Sequence, residues 1–143
     1  MSWIMISKKR DIKKNILVID PDEDFTRDVC LFLEENYNVI TKQSIDYLDY
    51  TIVLKKIDLL ILEAELADKN FLDLLAQLKQ NHPRLKIMIM YTYFSSDPDI
   101  EHALAKDADD MISKPFDVAF LKSKVDTLLE SYNPNRIKTN HRI

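Results

Sequence analysis

Short apolar runs alternate with helical patterns five times along this chain, and this alternation limits the possible folds more than any other feature. The clear runs are Ile16 to Ile19, Leu59 to Leu62 and Ile87 to Met90, and weaker ones are Asn38 to Thr41 and Ala108 to Ile112. Continuous apolar runs of this length are typical of strands buried on both faces. They predict an α/β fold with a parallel sheet.

Between the runs, apolar residues recur every three or four positions, as one buried helix face requires. The sets are Phe25, Val29, Phe32 and Leu33; Leu48 and Ile52; Phe71, Leu74, Leu75 and Leu78; Ile100, Ala103 and Leu104; and Val118, Leu121, Val125 and Leu128. Asp97 and Pro98 predict the N-cap and first residue of the fourth helix. An open parallel sheet with helices on both sides follows.

The composition suits one domain, which we place at residues 15–131 between an N-terminal tail (1–14) and a C-terminal tail or linker (132–143). The chain has 143 residues and a net charge of −4, so nucleic-acid binding is not expected. No apolar segment is long enough to suggest a membrane span. Cys30 is the single cysteine, which excludes an intramolecular disulfide. We expect a core thiol and a cytoplasmic protein.

Glycine is absent, although average usage is about 7%. Turns that need a positive φ must therefore use other residues, and Asn36, Asp68, Asn70 and Asp107 are the candidates. The same absence excludes the glycine-rich loops that hold nucleotide phosphates.

Four polar residues follow the predicted strands closely, where ligands bind in open α/β sheets. Asp20 follows the first strand, Glu63 the third, Thr92 the fourth and Lys114 the fifth. Two carboxylates with a hydroxyl and an ammonium suit cation-assisted phosphoryl chemistry. Nearby acids extend the same rim, and those from Asp22 to Asp24 are interpreted as ordinary caps of the next helix.

Three segments resemble the receiver domain of two-component response regulators: Ile16 to Asp20, Asp58 to Glu63 and Ala108 to Phe116. Lys114, Pro115 and Phe116 form the most specific of these matches, at the family's usual distance from Thr92. The resemblance covers roughly residues 15–131. It implies a flavodoxin-like, doubly wound (βα)5 sandwich with a parallel sheet of order 2-1-3-4-5 and a cis bond before Pro115.

The resemblance also implies roles for the polar residues. An Asp at the position of Glu63 accepts a phosphoryl group from a histidine kinase, two acids after the first strand bind Mg²⁺, Thr92 turns toward the phosphoryl group, and Lys114 pairs with it. This sequence departs at two positions, because Glu63 replaces the Asp and Pro21 replaces the second acid. We therefore expect no metal, or Mg²⁺ held weakly by Asp20, Glu63 and Glu65.

The longer side chain of Glu63 suggests that it reaches Lys114 or Thr92 and imitates the phosphorylated state permanently. The leading interpretation is a non-enzymatic signalling module that acts without phosphorylation. Its partner would be a histidine kinase, an output domain or a second copy, bound through the fourth helix, fifth strand and fifth helix (Ile100 to Leu129). The alternatives are a conventional Mg²⁺-dependent phospho-acceptor and a flavodoxin-like cofactor-binding protein.

Overall fold

The computed structural model describes residues 12–64, 70–92 and 98–130. In these ranges five strands alternate with five helices. The strands are β1 (Asn15–Ile19), β2 (Asn38–Lys42), β3 (Leu59–Glu63), β4 (Lys86–Tyr91) and β5 (Asp110–Ser113). The helices are α1 (Glu23–Leu33), α2 (Leu48–Leu54), α3 (Phe71–Asn81), α4 (Pro98–Asp107) and α5 (Val118–Leu129).

All five strands form one parallel sheet of order β2-β1-β3-β4-β5. The predicted fold class and strand order are confirmed. The central strands are buried on both faces, so β1 and β3 are almost entirely apolar. In the described part of the chain, no helix has the length and apolarity that a membrane crossing needs.

The sheet separates two hydrophobic cores, because successive residues of a strand point to opposite faces. Leu17, Ile19, Leu60 and Leu62 face α2, α3 and α4. The intervening positions, among them Val18 and Ile61, face α1 and α5.

Some residues that the sequence predicted to be buried are exposed or only partly buried. Phe32 is 36% exposed, whereas the buried face of α1 passes through Thr26, Val29 and Leu33. Cys30 is only partly buried, so the expected core thiol is wrong. In α4, Leu104 is buried as predicted. The side chains of Ile100 and Ala103, and the N-cap candidate Asp97, lie outside the described residues.

The residues with positive φ are not the predicted ones. In the described ranges they are Tyr47, with φ of 58°, and Lys56, with φ of 53°. Asn70 has φ of −91°, and Asp68 lies outside the described residues. Lys56 adopts a positive φ because α2 ends there. The N–H groups of Lys56 and Ile57 turn back and donate to carbonyls of that helix. These hydrogen bonds offset the unfavourable backbone conformation.

Candidate functional site

The carboxyl ends of β1, β3 and β5 bring three of the predicted site residues together. Glu63 is the last residue of β3, and Asp20 and Lys114 directly follow β1 and β5. Parallel register aligns these ends, since Ile19 pairs with Leu62. The Lys114 N–H donates to the Tyr91 carbonyl at 2.7 Å, which extends the pairing of β5 with β4. The bond between Lys114 and Pro115 is cis, as the resemblance implies.

Lys114 joins the two carboxylates. Its Nζ atom lies 2.5 Å from Asp20 Oδ2 and 2.5 Å from Glu63 Oε2. The Asp20 and Glu63 side chains are only 3% and 1% exposed, and that of Lys114 is 21% exposed. We call Asp20, Glu63 and Lys114 the carboxylate–lysine triad. Its formal charges leave one net negative charge, in surroundings where ion pairs are stronger than in water.

Asp20 is also held by the backbone around it. Its Oδ1 atom accepts a hydrogen bond from the Asp22 N–H at 2.9 Å, and its own N–H donates to the Lys42 carbonyl at 3.1 Å. Asp22 caps α1, because its carboxylate accepts from the Phe25 N–H at 3.1 Å. The interpretation of Asp22 as a helix cap is therefore confirmed.

An aromatic pair lies beside the triad, and sequence reasoning did not assign it a role there. Lys114 Nζ is 4.3 Å from the centre of the Phe25 ring, a distance typical of a cation–π contact. Phe25 and Phe116 pack edge to face, with ring centres 5.8 Å apart. The position of Phe25 in the first turn of α1, close after Asp20, was the available signal.

The environment of Lys114 favours its charged form. Burial acts to lower the pKa of the ammonium, but its hydrogen bonds to Asp20 and Glu63 and their negative charges outweigh burial and raise the pKa. Lys114 is therefore a cation at any physiological pH, and it neutralises part of the charge of the buried carboxylates.

Thr92 and Glu65 are the two other residues of the predicted site. Thr92 follows β4 at the same edge, and it is exposed. Glu65 lies outside the described residues. Glu63 reaches Lys114, one of the two partners expected for its longer side chain.

The described residues do not fit a Mg²⁺ site as they stand. The carboxylates of Asp20 and Glu63 converge, and each of them already binds the Lys114 ammonium. Pro21 supplies no side-chain oxygen, and no group of three potential ligands is found in the described ranges. A cation in this place would have to displace Lys114, whose charge opposes it.

Comparisons with known proteins agree with this geometry. The sequence profile of the response regulator receiver domain matches residues 16–126. The transcriptional regulatory protein CpxR of Escherichia coli (strain K12) is 34% identical over 119 residues, which cover 80% of this chain and 48% of that protein. The transcriptional regulatory protein KdpE of Staphylococcus aureus (strain NCTC 8325 / PS 47) is 30% identical over 116 residues, covering 80% and 49%.

A solved structure gives the same result. A two-component response regulator from Clostridium difficile superimposes with a TM-score of 0.69 at 30% identity, over 82% of this chain and 96% of that one. The chain spans about half the length of the curated relatives that it matches. Together with the sheet order, these matches show that the chain belongs to the response regulator receiver domain family of two-component signalling.

Proposed function

We propose that this domain is an atypical receiver that signals in the cytoplasm through protein–protein contacts and does not depend on phosphorylation. The observation that carries the proposal is the ammonium of Lys114, 2.5 Å from both buried carboxylates. The ion pair that a phosphoryl group would make with this lysine is already made by Glu63 itself. Glu63 therefore holds the Lys114 ammonium in this position without a phosphoryl group.

The charge of the site supports the proposal. A phosphodonor brings further negative charge toward Asp20 and Glu63, and catalysis of phosphoryl transfer depends on cations that neutralise such charge. Lys114 is shared between two carboxylates, and Pro21 replaces an acid that would help to hold Mg²⁺. Transfer to Glu63 would therefore lack the neutralising charge that it needs.

The proposed partner surface is the one formed by α4, β5 and α5. Phe120 on α5 is 53% exposed, and the Lys124 ammonium lies 5.1 Å from the centre of its ring. An exposed aromatic side chain beside a cation is a common anchor at protein interfaces. Receiver domains interact with kinases and output domains, and we propose partners of these kinds, with no enzymatic activity in the domain itself.

The decisive experiment measures the intact mass of the protein after incubation with acetyl phosphate and Mg²⁺. We expect no phosphoryl increment in the original chain. A double variant, Pro21→Asp with Glu63→Asp, restores both residues that the family carries, and we expect it to gain the increment.

Glu63→Ala is the control for the modified residue. An increment in the original chain that Glu63→Ala abolishes would establish conventional phospho-acceptance and overturn the proposal. Circular dichroism of each variant checks that the fold is retained.

A further inference from the structure

The outward side of α2 carries a patch of exposed apolar side chains. Among the described residues, eight large apolar side chains are exposed, and half of them belong to α2 or its N-cap. They are Tyr47 (82% exposed), Tyr50 (66%), Val53 (66%) and Leu54 (55%), which we call the α2 patch. Leu48 and Ile52 form the opposite, buried face of the helix. Contiguous apolar patches on soluble domains commonly mark binding surfaces.

The backbone holds Tyr47 in its exposed place despite an unfavourable conformation. Tyr47 has φ of 58°, in the left-handed region that residues with a side chain disfavour. Its carbonyl accepts from the Thr51 N–H at 2.9 Å and from the Thr51 hydroxyl at 3.0 Å. The Lys42 ammonium also donates to the carbonyl of Asp46. Such outliers cluster at functional sites.

Charges at the two ends of α2 indicate what covers the patch. Asp46 and Asp49 are exposed at its N-terminal end, where the Asp49 carboxylate also contacts the His82 ring at 2.8 Å, and Lys55 and Lys56 are exposed at its C-terminal end. A two-fold axis perpendicular to the helix would place the acidic end of one copy against the basic end of the other. The two helix dipoles would then be antiparallel, which is the favourable arrangement for neighbouring dipoles. A partner of uniform charge would meet repulsion at one end.

We propose that the α2 patch is the contact surface of an antiparallel, symmetric dimer of this chain. Each buried aromatic side chain removes about 150–250 Å² from solvent, so Tyr47 and Tyr50 supply a large part of the roughly 800 Å² per partner of a standard interface. The helix α2 follows β2 in the chain, and β2 and β5 form the two opposite edges of the sheet. The dimer is therefore independent of the carboxylate–lysine triad and of the partner surface proposed above.

Sedimentation equilibrium of the whole chain over a wide range of concentration tests the dimer. We expect reversible dimerisation, and Tyr50→Ser should raise the dissociation constant at least about tenfold. Leu31→Ser is the matched control, because Leu31 is a similarly exposed apolar residue (59%) on α1, which belongs to neither proposed surface. A single monomeric species at all concentrations would overturn the proposal, as would an effect of Leu31→Ser as large as that of Tyr50→Ser.

Complementary charge reversal tests the antiparallel arrangement. One variant carries Lys55→Glu and Lys56→Glu, and the other carries Asp46→Lys and Asp49→Lys. Each alone should remain monomeric, because both ends of its helix then have the same sign, and an equimolar mixture should form a mixed dimer. Equal self-association of either variant and the original chain would contradict this arrangement.

Discussion

One methylene group distinguishes Glu63 from the aspartate that receivers ordinarily carry at its position. The side chain ends 2.5 Å from Lys114 and is almost fully buried. The charge of Glu63 is therefore stabilised by that ammonium, which also contacts the Asp20 carboxylate. At the scale of single residues, the consequence is a dependence of stability on the charge of Glu63.

Replacing Glu63 with glutamine removes this charge at nearly constant volume. We expect Glu63→Gln to lower the free energy of unfolding by about 1–3 kcal/mol, because an amide is a poorer partner for a partly buried ammonium. Urea unfolding measures the change. Glu23→Gln is the control, since Glu23 makes a solvent-exposed contact with Arg27 at 3.9 Å and should change stability by less than about 0.5 kcal/mol. Equal effects of the two substitutions would show that the triad contributes no special stability.

The partly buried Lys114 and the buried Tyr37 predict a loss of stability at high pH. The pKa of Lys114 is raised above its ordinary value of 10.5, so its contribution is complete below that value and is lost as pH rises through the folded-state pKa. Burial, and then the hydrogen bond and charge of Asp126, raise the pKa of Tyr37 above its ordinary value of 10.0. The folded state therefore disfavours loss of either proton, and both effects act in the same direction.

Unfolding in urea from about pH 8 to about pH 11 measures this dependence. We expect the free energy of unfolding to fall above about pH 10. Tyr37→Phe removes one titrating group and should leave a shallower decline, due to Lys114. Stability that is unchanged or rises over this range would contradict the assignment of both groups.

At the scale of elements, the end of α2 shows how a chain without glycine closes a helix. The Ile57 N–H donates to the Ile52 carbonyl at 3.0 Å, and the Lys56 N–H donates to the Val53 carbonyl at 3.3 Å. This is the Schellman pattern, in which glycine usually occupies the position with positive φ. Lys56 occupies it here, with φ of 53°.

Lys56→Gly should therefore stabilise the domain. The left-handed conformation costs a residue with a side chain about 1–2 kcal/mol, and the greater freedom of glycine in the unfolded chain offsets part of the gain. We expect a net increase of up to about 1 kcal/mol in the free energy of unfolding, measured at concentrations where the chain is monomeric. Lys55→Gly, at a neighbouring residue with φ of −93°, should destabilise instead. Destabilisation by both substitutions would refute the argument.

At the scale of the whole molecule, one sheet connects both cores, so we expect the domain to unfold cooperatively. The core residues of the described ranges lie between Ile16 and Leu129. Urea unfolding followed by far-ultraviolet and by near-ultraviolet circular dichroism should therefore give the same midpoint and the same slope. The first signal reports the helices and strands, and the second reports the packing of the aromatic side chains. Two separate midpoints would show that the two cores do not unfold together.

Local sequence patterns were sufficient to predict the elements and their order. Apolar runs such as Leu59 to Leu62 need burial on both faces, and the helical spacing around Leu75 needs one buried face, so each element could be identified from its own residues. The polar residues after these strands could be placed at one sheet edge because parallel strands end there together. The match to receiver domains, most specific around Lys114, then implied the strand order that the structure has.

Tertiary packing decided what local patterns do not contain. Lys114 and Asp20 are 94 residues apart in sequence. They meet because the pairing register of the strands places their ends side by side, and the residues around Lys114 and Asp20 do not determine that register. The Phe25 ring beside Lys114 and the exposure of Thr92 are likewise results of how whole elements meet. The positive φ of Lys56 depends on where α2 ends against the core rather than on residue preference. Periodicity reports which face of an element is buried, but only the assembled fold determines which distant groups meet.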